Sequence, residues 1–237
     1  MPLSKNQLDS LNSSLAYYTN HLETLRNLTD VQAKGVSFLK EINPSVDLTE
    51  FEEMDKMNGF NALLTISSLD LIAIVKQIFS TTHTWETLYF VRQGYLTIYE
   101  TLKTYDAYNS TLNEWVSKKY LNHKSIFHSI CKEIKKFKND YGYDKEMNNI
   151  RNFVSGHIHV NFVLFYDTVK SIDETKATEA INTFVGILTK LQTLSATLAS
   201  EANSILQQNF ASSEALITEL KSKIQTLLNL RPDNNYS

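Results

Sequence analysis

The sequence predicts an all-α fold, an up-and-down helical bundle, and three observations carry that prediction. Only three prolines and six glycines occur in 237 residues, and no proline falls between Ser45 and Arg231. Proline and glycine punctuate turn-rich folds, so their scarcity favours long helices. Apolar residues also recur in alternating steps of three and four, as in Leu8, Leu11, Leu15, Tyr18, Leu22 and Leu25, which places them on one helical face. Finally, 42% hydrophobic and 21% charged residues are ordinary proportions for a soluble globular chain with its own core.

The elements follow in order. A first helix is expected from Ser4 to about Leu28, and a second from Asp30 to about Ile42, stopped by Pro44. A nearly all-round apolar helix, hence a central one, runs from Phe60 to about Phe79 and breaks at residues 80–84. The next starts at Trp85 and continues through Leu88, Val91, Tyr95, Ile98, Tyr99 and Leu102. Asn109 and Ser110 read as a loop, followed by a short helix from Leu112 to Lys119. From Lys124 to Asn139 the stripe is Ile126, Phe127, Ile130, Ile134 and Phe137, and residues 140–143 form a turn.

Asp144 is the expected cap of a helix carrying Arg151, with Gly156 as its C-terminal stop. Residues 157–170 suit either a strand or a buried helix. Ser171 and Glu174 have capping-box spacing, opening a helix of about 38 residues to Gln208. A last amphipathic helix presents Leu216, Ile217, Leu220, Ile224, Leu227 and Leu228. A polar tail, 232–237, is expected to be disordered. The whole reads as one helical domain over 1–231.

Several function classes are disfavoured. A single cysteine, Cys131, permits neither an intramolecular disulfide nor a cysteine-based metal cage. Among Phe127, Ile130 and Ile134 it reads as a small buried hydrophobe, in keeping with a reducing cytoplasm. The first fifteen residues lack a secretory h-region. The longest apolar runs, near residues 69–75 and 160–165, are shorter than a bilayer span, so no membrane association is expected. No Glu-x-x-His or His-Glu-x-x-His pair accompanies the six histidines, so the common helical metal sites lack their ligand spacing. Neither metal nor cofactor is expected.

Net charge is −3, which leaves nucleic-acid binding to a local patch. One exists in the sequence. Lys118, Lys119, Lys124, Lys132, Lys135, Lys136 and Lys138 are opposed only by Glu133 between Ser117 and Asn139. Such a face either holds phosphates, with Lys132, Lys135 and Lys136 as the candidate RNA contacts, or is simply solvated. The acidic residues Asp47, Glu50, Glu52, Glu53 and Asp55 read as a solvated edge. Trp85, Tyr89, Phe90 and Tyr99 read as core rather than a base-stacking platform.

The candidate catalytic residues are Arg151, Asn152 and His157. Arginine presents a planar fork of donors suited to a phosphate, and histidine moves protons near neutral pH. Only four arginines occur in the chain. The competing structural reading pairs Arg151 with a carboxylate and makes His157 a helix C-cap. On an unbroken α-helix His157 lies about 120° from Arg151 and His159 about 80°, so His159 stands as the alternative imidazole.

With Arg-Asn followed five residues later by His, the chain resembles the HEPN superfamily, whose signature is Arg-x(4–6)-His, and in spacing its abortive-infection AbiU2-like branch. Residues 85–92 (Trp-Glu-Thr-Leu-Tyr-Phe-Val-Arg) with Tyr99-Glu100 resemble an earlier helix of that bundle. The resemblance covers about 60–208. It implies a four- to five-helix bundle, a homodimer with two Arg-His sets meeting in a cleft, and RNA as partner. Active members are metal-independent ribonucleases of toxin–antitoxin and antiviral defence systems, with a possible cognate antitoxin. Others are non-catalytic scaffolds. The Ser155-Gly156 pair departs from the alanine or branched residues common before the histidine. In the implied mechanism His157 transfers the proton, Arg151 stabilises phosphate charge, and Asn152 orients the imidazole or bonds the phosphate. The partner copy's His157 supplies the second proton carrier.

Overall fold

The computed structural model describes residues 3–45, 47–155 and 160–229, with side chains through residue 204 other than that of residue 155. Among the described residues there is no strand, and the architecture is the expected all-α bundle. Packing divides the chain into two units, residues 1–195 and residues 196–237. The first contains α1 (Lys5–Ile42), α2 (Thr49–Ser80), α3 (Thr84–Lys118) and α4 (Lys124–Asp140). It continues with a wide helical segment, α5, built from Tyr143–Met147, Asn148–Ile150 and Arg151–Ser155, then α6 (Phe162–Lys170) and the start of α7 (Glu174–Asn229). The second unit is the remainder of α7 as far as Asn229, and the expected tail lies outside the described residues.

The helices are longer and fewer than expected. Ser4 opens α1 with a capping box: its hydroxyl accepts from the Gln7 N–H at 3.3 Å, and the Gln7 carboxamide accepts from the Ser4 N–H at 2.9 Å. The expected break near Leu28 is absent. Thr29 donates its hydroxyl back to the Leu25 carbonyl at 3.0 Å rather than capping a new helix. α2 begins at Thr49, well before Phe60, because Asp47 accepts from the Thr49 N–H and hydroxyl at 2.9 and 2.6 Å. These bonds hold the Asp47 carboxyl below its usual range. The acidic residues after it sit where a helix N-terminus favours them.

The loop expected at Asn109 is also helix. Its carboxamide oxygen accepts from the Tyr105 hydroxyl at 3.1 Å, so it does not compete for the backbone. Residues 157–159 lie outside the described residues, and α6 beyond them is neither strand nor buried helix. Phe162 and Val163 are exposed, and only Val169 is buried. Asp173, not Ser171, caps α7, accepting from the Thr175 and Lys176 N–H groups at 2.9 and 3.0 Å. α7 passes Gln208 without the expected stop.

α2 is long and apolar enough, by length and composition, to cross a membrane, although no single run within it is. Its buried Phe60, Leu64, Leu71, Ile72 and Ile74 face protein. Its small polar residues are satisfied there too: Ser67 bonds Thr101 at 2.8 Å, and Ser68 accepts from Gln192 at 3.0 Å. α3 closes on α7 through Gly94, where an added Cβ would stand 2.5 Å from Ile181 Cδ1. Phe137 of α4 packs on Phe184 of α7 with ring centroids 5.3 Å apart. This core holds α3, α4 and α5 together and so positions the site. Cys131 is only half-buried, beside Tyr105 and Asn109, and Ile126 is exposed rather than part of the α4 stripe.

Candidate functional site

α5 is wound unusually from its first residue. Gly142 adopts φ +64°, a left-handed conformation that only glycine enters readily. Its carbonyl then accepts from the N–H groups of Lys145, Glu146 and Met147 at 3.2, 2.7 and 3.2 Å. The last bond closes a π-turn. A second π-turn covers Arg151–Ser155. Gly142, rather than an Asp144 cap, therefore opens the segment. Met147, Ile150 and Val154 are buried at spacings of three and four and anchor it. π-Turns occur often at functional positions, and here one falls on the Arg151-Asn152 pair.

Arg151 is held by three contacts. Its Nε donates to Glu100 Oε1 at 2.8 Å, its Nη1 to Asn152 Oδ1 at 2.9 Å, and its guanidinium carbon lies 5.7 Å from the Tyr99 ring centroid. The Glu100 carboxylate pushes the Arg151 pKa above its ordinary value, so the cation is permanent. Asn152 is oriented without ambiguity, because arginine can only donate. Its Nδ2 then donates to Asn148 Oδ1 at 3.0 Å. Asn152 thus positions the guanidinium. The Arg151 side chain retains 37% of its accessibility and Glu100 43%, so the ion pair faces solvent and contributes little to stability.

A ladder of rings leads from this arginine to the lysine-rich helix. Tyr99 stacks on Tyr143 at 4.9 Å and 17°, and the Lys138 ammonium stands 4.7 Å from the Tyr143 centroid. The sequence order Tyr99, Lys138, Tyr143, Arg151 hides this spatial order, which sets two stacked rings between two cations. Burial raises the Tyr143 pKa, so its ring stays neutral.

The seven lysines do not act alike. Lys118 pairs with Glu114 at 2.7 Å, Lys119 with Glu50 and Glu53, and Lys138 with Asp106 at 2.9 Å. Part of the acidic edge thereby meets part of the basic run. Lys132, Lys135 and Lys136 are exposed and make no ion pair among the described residues. Lys135 lies three residues before Lys138, so the open lysines start beside the ring ladder.

His157 and His159 lie outside the described residues, and the choice between them is open. The α-helical angles that separated them do not apply, because Arg151–Ser155 winds as a π-turn. Among the described residues no group of three or more histidine, cysteine or acidic side chains is placed to hold a metal. Trp85 and Tyr89, expected in the core, are 41% and 47% exposed, while Leu88 and Val91 in the same turns of α3 are buried.

Sequence reasoning missed Arg92. It is buried on the apolar face of α3, donates to the Val154 carbonyl at 3.3 Å, and lies 5.6 and 5.7 Å from the Tyr89 and Phe165 ring centroids. Burial lowers its pKa. It ties α3 to the end of the motif segment and to α6. The signal was available: Arg92 falls four residues after Leu88 and three before Tyr95, inside the apolar stripe. Neither protein-family models, nor curated proteins, nor solved structures give a match to this chain.

Proposed function

We propose that the chain is a HEPN-like RNA-binding protein that cleaves RNA without a metal ion. The observation that supports it best is the ladder from Arg151 through Tyr99 and Tyr143 to Lys138, which joins the motif arginine to the helix that carries the exposed Lys132, Lys135 and Lys136. A single-stranded nucleic acid needs a positive track for its backbone, and the two rings, with Tyr143 buried between Tyr99 and Lys138, brace the cations of that track. Arg151 donates hydrogen bonds to the scissile phosphate, its guanidinium held by Asn152 and Glu100. His157 is the proton carrier, and the His157 of a second copy of the chain is the complementary acid or base. A toxin–antitoxin or antiviral defence role in the cytoplasm, with a cognate antitoxin as partner, completes the reading.

A second reading is favoured by one observation. The Arg151–Glu100 ion pair already satisfies one edge of the guanidinium, as in a non-catalytic helical scaffold. The two readings separate on binding to unstructured RNA across a salt series. The RNA reading expects affinity to fall steeply with salt, and Lys132→Glu/Lys135→Glu/Lys136→Glu to flatten the log–log slope by about 2 for single strands. Arg151→Ala weakens binding further. A scaffold shows no salt-dependent RNA affinity, and then the triple variant changes nothing.

A further inference from the structure

Helix α1 carries two apolar seams. The inner one packs against α2 and includes Leu22 and the buried Leu25, continued by Gln32, which is bonded to Asn58 and to the Phe51 carbonyl. The outer one is Leu28, Val31, Gly35, Phe38 and Ile42, in steps of three, four, three and four. That spacing is the a/d repeat by which one helix packs along another. No described residue covers it: Leu28, Val31, Phe38 and Ile42 are 52%, 67%, 61% and 66% exposed. Gly35, at its centre, has nothing within 4 Å of where a Cβ would stand.

We propose that this seam is a dimer interface, in which α1 pairs antiparallel with α1 of a second copy of the chain. Two independent features select a second copy and this direction. The first is shape. An antiparallel pairing about a two-fold axis sets Gly35 against the partner's Phe38 and Phe38 against the partner's Gly35, while Val31 meets the partner's Ile42. Each large ring then enters the space left by a missing side chain, the large-to-small complementarity a packed layer needs. A parallel pairing in register sets ring against ring and glycine against glycine.

The second feature is charge. Lys34 and Glu41 flank the same edge of the seam, both exposed and with no ion pair among the described residues. In the antiparallel register Lys34 faces the partner's Glu41, and the two-fold axis repeats the pair. In the parallel register Lys34 faces the inner-seam position of Leu39, and no opposite charges meet. The surface is therefore complementary to itself in one orientation. It uses none of the residues assigned to RNA and stands apart from the Arg151-centred pairing proposed above.

Sedimentation of the full-length chain over a dilution series tests the interface. The wild type is expected to reach at least twice 27.2 kDa. Lys34→Glu alone or Glu41→Lys alone sets like charges together twice, and each should weaken the dissociation constant roughly tenfold. The double exchange Lys34→Glu/Glu41→Lys should return it to within about twofold of wild type. Phe38→Glu, at an exposed position, should abolish association through α1 with unchanged helical circular dichroism, leaving no species larger than the Arg151-centred dimer. A wild type still monomeric at roughly 200 μM overturns the proposal. So do single reversals without effect, as expected of a dimer formed only at Arg151, or a double exchange no tighter than the singles.

Discussion

The packed core and the motif segment are both helical, yet their helices are held in different ways. In the core, α2, α3, α4 and the start of α7 bury Phe60, Ile98, Phe127, Phe184 and Leu191 to 2% exposure or less, and their winding is regular. In the motif segment α5 opens at a left-handed glycine and π-winds at both ends. Its neighbour α6 leaves Phe162 and Val163 facing solvent. Burial fixes the first region. The second adds to its buried anchors Met147, Ile150 and Val154 a few directed contacts that set its geometry: Arg92 to the Val154 carbonyl, Arg151 to Glu100 and Asn152, and Tyr143 on Tyr99. Such contacts specify geometry while contributing little stability, an arrangement suited to a site.

Mutational stability measurements can break or sharpen that contrast. The largest loss is expected for Phe60→Ala or Phe184→Ala, about 3–5 kcal/mol each by chemical denaturation, because each leaves a cavity. Gly94→Ala follows. Its Cβ would meet Ile181 at 2.5 Å, and overpacking of about 1–3 kcal/mol exceeds alanine's gain in helix propensity. In the motif region Arg151→Ala should cost less than Gly94→Ala, since its ion pair is exposed. Phe162→Ser should be smallest, within about 0.5 kcal/mol. A Phe162→Ser loss as large as that of Phe184→Ala would erase the distinction between the regions.

The same contrast explains what was legible in the sequence. Apolar periodicity and the lack of proline reveal helices wherever burial sets the structure, so the all-α bundle and the α4 stripe are readable. Helix ends are less so. Thr29, Asn109 and Ser171 carry side chains typical of caps and turns, but Thr29 and Asn109 spend their hydrogen bonds inside continuous helices. Ser171 closes α6 and leaves the α7 cap to Asp173.

Within the candidate site, Arg151 and Asn152 stand together as their adjacency implies, and Glu100 is the carboxylate the structural alternative required. The ring ladder was not legible, because Tyr99 lies on α3, far along the chain from Lys138, Tyr143 and Arg151, and meets them only by packing of α3 on α4 and α5. The sum of seven lysines also misled. Pairing with Glu114, Glu50, Glu53 and Asp106 removes three of them, and only folded geometry shows which remain.

The most direct test of the central claim is cleavage of an unstructured RNA by the full-length protein in EDTA, with the product ends identified. Cleavage is expected to persist without metal and to leave 2′,3′-cyclic phosphate ends. His157→Ala should lower the rate by about a hundredfold or more, with Arg151→Ala comparably damaging and His159→Ala nearly silent. Cleavage that stops in EDTA, or that survives His157→Ala unchanged, would contradict it.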